Sequence, residues 1–383
     1  MAQAAFAFDD TALPSPPAGR AEAPSAAHPA DHDDAGFELG QDFARHGLLP
    51  PAEHLLPANP LRQGWEAGRR RFATRPLPAT ATVQQWLQLR LQAWMAGRAF
   101  EAVQVTPHYL AQIDTPRCPI TRSALTRGAG AESDATITRV FKDAGYAAGN
   151  LAVLSQRAAS ALAELRWDEA RLLSVLAEAR QTGLGAGSAQ GLRGAEWARL
   201  ATLMSFVTPL PHALAATLPL RVLPPNRLRL LNPIQGLQAL ITRLLTHAGY
   251  AERSRRLAEL INGPTARQDY QLVFLSLLPR AWDGGRPGDE AELRERLEDA
   301  WRDPQLLRRW QRFARHFSAA QAEDLVQRAV AAGLAGKACQ VQVHGQEQAT
   351  EGWALETGGY QPAARPRRGL ARHAPWPGLS AAA

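Results

Sequence analysis

Apolar residues recur at three- and four-residue intervals over most of the second half of this chain, a spacing that predicts amphipathic helices. Helices are expected at 167–180, 196–206, 233–248, 251–260, 268–278, 289–301, 304–317 and 319–331. Pro209 and Pro211 end the second of these. Asn232 is placed to cap the third, and Pro233 follows at the first helical position, where a missing N–H does no harm. In the first half, 82–100 carries an apolar face of Val83, Trp86, Leu87, Leu89, Leu91 and Trp94, and 63–72 reads as a shorter helix. β-Compatible stretches are few: 103–105, 135–141 and 338–344, the last expected to pair with the first or to flank the bundle.

Segments without such a period mark the boundaries. Residues 1–36 are Ala, Pro, Asp and His in loose order and read as a disordered tail, in which His28, His32, Asp31, Asp33 and Asp34 form a solvated acidic linker. Residues 359–383 read as a disordered basic tail, and the glycine-rich run 182–194 lacks the lysine of a phosphate loop and is a linker. The expected fold is mainly α, a multi-helix domain with a small ββα-like element. Its parts are a helical segment with that element at 37–165, a helical domain at 166–335 and a short strand region at 336–358.

Composition narrows the classes. With 45% hydrophobic and 21% charged residues over 383 positions, the chain has the balance of a soluble globular protein. The net charge of +7 is carried almost wholly by arginine, which favours bidentate phosphate or carboxylate contacts, although a GC-rich genome also enriches arginine. The densest run, Arg69, Arg70 and Arg71, sits beside Trp65 and Phe72, a mixture that suits a phosphate backbone with a stacked base. Two cysteines, Cys118 and Cys339, make neither a disulfide framework nor a Cys-x-x-Cys zinc cage. Asp9 and Asp10 speak against a secretory signal, and Pro209, Pro211 and Pro219 interrupt the uncharged run 200–220, so a cytoplasmic location without a membrane partner is expected.

The stretch 118–163 has a different character. Cys118-Pro119 precedes a β-branched run at 135–141, then turn chemistry at Asp143-Ala-Gly-Tyr146 and Gly149-Asn150. A helix is expected from there, with Leu151, Leu154, Ala158 and Leu162 on its apolar face. This order resembles the ββα core of HNH-type endonucleases over about an eighth of the chain. The resemblance implies an Asp-His or Asp-Arg pair at Thr138-Arg139, the helix-opening Asn-Leu at Asn150-Leu151, and a last metal ligand near Ala159. Thr138 is a poor ligand and Ala159 is none, and Arg139 stays protonated, so it cannot serve as a base but can hold a phosphate.

Three readings follow. The first is a nucleic-acid-associated protein with a degenerate, inactive HNH-like element, in which Arg139, Lys142 and Arg157, together with Arg69, Arg70 and Arg71, contact phosphates of DNA or RNA. The second is a helical protein-interaction or scaffold protein whose hairpin is purely structural. The third is an active nuclease using Asp143 and Asn150 with a divalent metal, the one reading that calls for a cofactor. The sequence does not fix the oligomeric state.

Overall fold

A computed structural model describes residues 29–72, 75–163, 165–181, 191–283, 285, 287–334, 340–341 and 347–355. Residues 1–28 of the tail expected at 1–36, the tail expected at 359–383, the core of the glycine-rich linker and most of the strand expected at 338–344 lie outside them. The first part of the chain forms α1 (Pro29–Arg45), α2 (Pro60–Phe72), α3 (Ala81–Met95) and α4 (Pro107–Ile113). It is followed by β1 (Ala135–Arg139), β2 (Leu151–Ser155) and α5 (Gln156–Leu162). The rest is α6 (Trp167–Gln181), α7 (Gly194–Val207), α8 (His212–Ala215), β3 (Arg229–Leu230), α9 (Pro233–Leu244) and α10 (Tyr250–Leu260). Then come α11 (Pro264–Ala281), α12 (Glu290–Ala300), α13 (Pro304–Ala314), α14 (Ala319–Ala331) and β4 (Gln340–Val341). The fold is mainly α with a small ββα element, as the periodicity predicts. Helix starts follow side-chain chemistry: Thr80, Thr106, Ser155, Asp289, Asp303 and Ser318 each accept a backbone N–H of the first turn.

Several expectations need correction. Residues 29–36 are not tail but the first turns of α1, because Gly36 lets the helix lie under Trp94, whose Nε1 donates to the His32 carbonyl at 3.0 Å. His32 stacks on that indole with centroids 5.0 Å apart, while Asp31, Asp33 and Asp34 lie on or near the surface of the helix. No strand forms at 103–105, where the chain turns and leaves Val103 82% exposed. β4 pairs in parallel with β3, through Arg229 opposite Gln340 and Leu230 opposite Val341, rather than with 103–105. Asn232 stands at the N-cap position of α9 but spends its side chain elsewhere, accepting from Leu210 N–H and donating to the Ser205 and Thr208 carbonyls.

α1 and α2 pack backbone to backbone through glycines spaced four apart, Gly36 and Gly40 on one and Gly64 and Gly68 on the other. A Cβ at Gly64 would fall 1.9 Å from the Phe37 carbonyl oxygen, and one at Gly40 would fall 2.0 Å from that of Leu61. Alanine normally improves a helix interior by about 0.5–1 kcal/mol over glycine. Here Gly64→Ala is expected to do the reverse, with a net loss of about 2 kcal/mol in urea denaturation, because the obstacle is backbone that cannot rotate away.

The hairpin of β1 and β2 stands between two cores. Ile137, Leu151 and Val153 join Leu39, Leu61, Trp86, Leu87 and Leu110 in the smaller one. Val140, Ala152 and Leu154 point the other way, into the larger core of Trp197, Leu237, Trp301, Trp310 and Phe313. The sheet is thus shared by two cores, the smaller gathering α1 to α4 and the larger gathering α5 with the helices that follow it.

Candidate functional site

The strands are antiparallel, with Thr138 opposite Ala152 and Arg139 opposite Leu151. Leu151–Ser155 is thus a strand and not the start of the helix, which begins at Gln156, where the Ser155 hydroxyl caps the Ala158 N–H at 3.3 Å. All five residues of β2 are buried, so both faces are apolar and the two-residue alternation that marks a half-buried strand is missing.

Between the strands, residues 140–149 form a loop held from within. Asn150 is fully buried, and its amide oxygen accepts the Phe141 N–H at 2.8 Å. Its Nδ2 donates to the carbonyls of Phe141 at 3.0 Å and Gly145 at 3.1 Å. Arg139 is 6% exposed, and one Nη donates to the carbonyls of Lys142 and Ala144 while the guanidinium lies 5.1 Å from the Tyr146 ring centre. Tyr109 Oη accepts the Gly149 N–H at 2.9 Å, Glu101 accepts that of Ala148 at 2.8 Å, and the Trp353 carbonyl accepts that of Gly145 at 2.7 Å. Arg139 and Asn150 brace the same loop through different carbonyls and from opposite faces of the hairpin, Arg139 on the side of Leu151 and Asn150 on that of Val140, so they share no surface.

The positions that the HNH resemblance assigns to a metal do not fit one. Lys142 Nζ donates to Thr138 Oγ1 at 3.1 Å, so an ammonium occupies the oxygen that would be a ligand. Ala159 has no donor and packs against the larger core. Asp143 is exposed on the loop, whereas Asn150 is sealed beneath it with its amide fully engaged, so the two do not form a shared ligand set. Among the described residues no group of three or more His, Cys, Asp or Glu side chains could hold a metal ion.

Arg157, the third phosphate candidate on this element, donates from Nη2 to the buried Glu196 carboxylate at 2.6 Å. Burial would raise the pKa of Glu196, but hydrogen bonds from the Arg193 side chain and backbone, with the charges of Arg157 and Arg193, outweigh it and hold the group below its ordinary range. The cleft beside α5, about 630 Å³, sets Glu132 and Glu169 against Arg157, so it offers no uniformly positive wall. Arg139, Lys142 and Arg157 are all engaged by the protein itself.

The arginines of α2 are placed differently. Arg69, Arg70 and Arg71 are exposed, with Arg69 4.8 Å from the Trp65 ring centre and Arg71 5.3 Å from that of Phe72. The glycine contacts run α1 and α2 side by side in the same direction, so that Gly68 meets Gln41 and Ala44, and Arg45 ends α1 at the same level. The Arg45 carbonyl accepts the Leu77 N–H at 2.8 Å, which brings Arg75 to this end as well. Arg45 and Arg75 are exposed too, and among the described residues none of the five guanidinium groups forms an ion pair. A run of three was legible in the sequence. The two others arrive through the parallel packing, whose only sequence signal is the glycine spacing.

Comparison with protein-family models, with curated proteins and with solved structures finds no match. No helix among the described residues is long and apolar enough to cross a membrane.

Proposed function

We propose that this protein associates with nucleic acid through the arginine-rich end of α1 and α2, and that its HNH-like ββα element is an inactive scaffold. The observation that carries the reading is the cluster of Arg45, Arg69, Arg70, Arg71 and Arg75, exposed and without carboxylate partners among the described residues. Surface arginines elsewhere are commonly neutralised, as in Arg62 with Glu66, Arg255 with Glu252 and Arg328 with Asp324. An unpaired group of like charge raises the local concentration of a polyanion, and guanidinium groups fit phosphate oxygens in pairs. Arg69 over Trp65 and Arg71 over Phe72 are exposed guanidinium groups backed by a ring, on which an unpaired base can stack. The inactive part of the reading rests on the fate of the retained residues: Arg139 and Asn150 hold the loop, while Thr138 and Ala159 supply no ligand set.

The test is fluorescence anisotropy with single-stranded and duplex oligonucleotides at two salt concentrations. Affinity is expected to fall with salt, and the triple variant Arg69→Glu, Arg70→Glu, Arg71→Glu to bind at least about ten-fold more weakly. Its salt slope should be lower by about 2 to 3, given 0.7–0.9 per phosphate contact. Absence of binding by the parent chain at low salt removes the proposal. Plasmid DNA is expected to stay supercoiled with magnesium or manganese, and nicking that Asn150→Ala abolishes in a folded variant would restore the active-nuclease reading.

A further inference from the structure

We propose that α6 is a self-association surface, on which a second copy of this chain packs its own α6 in antiparallel fashion about a two-fold axis near residues 174 and 175. The inference is independent of nucleic-acid binding. α6 sits on α7 through small residues, Ala170, Ser174 and Ala177, spaced by four and three and buried. Its opposite face carries Leu172, Val175 and Leu176, which are 59%, 57% and 43% exposed. Single exposed apolar side chains are ordinary, but three within five residues on the outer face of one helix form a stripe that water solvates poorly.

What covers the stripe is indicated by its flank. Arg171 and Glu178 are seven residues apart, two helical turns, and so lie on the same side of it. Both are exposed. In an antiparallel pair centred between 174 and 175, Leu172 of one copy meets Leu176 of the other, and Val175 lies beside its own symmetry mate. Arg171 of each copy then faces Glu178 of the other, and the contact occurs twice by symmetry. In a parallel two-fold pair the charged flanks fall on opposite edges of the interface and Arg171 meets no Glu178, so the charges favour the antiparallel orientation. The flank is held in place before any partner arrives. Glu178 Oε1 accepts from Arg221 Nη2 at 3.2 Å, and the Arg171 guanidinium rests 5.5 Å from the Trp167 ring centre. One pair of four-turn helices buries less than the roughly 1,200 Å² of a standard interface, so the association is weak and depends on concentration.

Sedimentation of the full chain between about 1 and about 200 μM is expected to show the average mass rising toward that of a dimer, a range suited to an interface of this size. Leu172→Glu should keep the chain monomeric throughout, with an unchanged circular dichroism spectrum because the side chain touches no core. Val175→Cys in a Cys339→Ser background should form a reducible cross-link under mild oxidation, whereas Ala179→Cys in that background should not, since its symmetry mate lies more than two turns away along the axis. A parent chain that stays monomeric to the highest concentration overturns the proposal. So does a dimer unaffected by Leu172→Glu, or a cross-link as efficient at 179 as at 175.

Discussion

Asn150→Ala is expected to lower folding stability by about 3–4 kcal/mol, read as a fall in the urea midpoint at unchanged slope. The side chain closes a ring with backbone on the far side of the loop, taking the Phe141 N–H and giving to the Phe141 and Gly145 carbonyls. Alanine strands these three groups in a fully buried place, at about 1–3 kcal/mol each before relaxation admits water to some of them. The backbone bond from Val140 N–H to the Asn150 carbonyl survives and keeps the strands in register, which limits the loss. Asn150→Asp separates the structural role from a catalytic one. A carboxylate still accepts from Phe141, but it turns a second acceptor toward two carbonyls, so it should destabilise about as much as alanine at neutral pH. A residue serving mainly as a metal ligand would show the opposite pattern, with stability little changed by aspartate.

If the element is HNH-like as proposed, the contrast between the positions that match that family and those that do not has a physical logic. A loop joining two buried strands must satisfy its polar backbone without water, and Arg139, Asn150, Tyr109 and Glu101 do this whether or not a metal is ever bound. A metal ligand stabilises nothing unless the ion is present, so Thr138 and Ala159 are tolerated at those positions. The sheet is the wall between two cores, and its surfaces are committed to Leu151 and Val153 on one side and Ala152 and Leu154 on the other.

How much could be read from the residues alone follows from the same burial. The bounds of α14 are legible because it has one wet face, and those of α6 because its apolar residues recur at helical spacing on both faces between breaks in the pattern. The pattern predicts helix over β2 because Leu151, Leu154, Ala158 and Leu162 recur at helical intervals whether the first two lie on a strand or not. α4, at seven residues, and α8, at four, are too short to show a period. The first turns of α1 are polar and enter the fold through the absence of a side chain at Gly36, which no hydrophobic pattern records. Valines at 103 and 105 favour a strand by propensity, but no neighbouring chain offers them a ladder. At the arginine cluster, 69 to 71 was visible as a run, whereas Arg45 and Arg75 required knowing that two helices lie parallel.

Arg122→Met is expected to cost about 3 kcal/mol at neutral pH, because this side chain docks the loop before the hairpin onto the helical half of the molecule. The loop folds on itself, with Cys118 N–H to the Ser123 carbonyl at 2.9 Å, Arg122 N–H to the Cys118 carbonyl at 2.8 Å, and Arg122 at φ 61°. From this turn the guanidinium reaches α12, giving to Asp299 at 2.8 and 3.1 Å and to Glu298 at 3.2 Å. Arg199 of α7 grips the same loop through the Ile120 carbonyl at 2.6 Å; its own burial and the nearby Arg122 charge push its pKa down to about 10. Methionine keeps the stem and removes the charge, which leaves the nearly buried Glu298 with Arg294, at 3.0 Å, as its remaining ion-pair partner among the described residues. Asp299 is more open to water, and this keeps the expected cost at the lower end of the range for breaking a buried pair. The loss should depend on pH in one direction. Burial would raise the pKa of Asp299, but the hydrogen bond and charge of Arg122, helped by Arg302 and Arg199, outweigh it and set the group below its ordinary value. A depressed carboxylate stabilises the fold fully above its unfolded pKa, about 4, and loses that contribution as pH falls through the folded value. The gap between parent and Arg122→Met in urea midpoints is therefore expected to be widest near pH 7 and to narrow below about pH 4, as Asp299 takes up its proton in both chains. A gap that stays constant to pH 3 would mean that the loop is docked by the shape of the arginine stem and not by its charge.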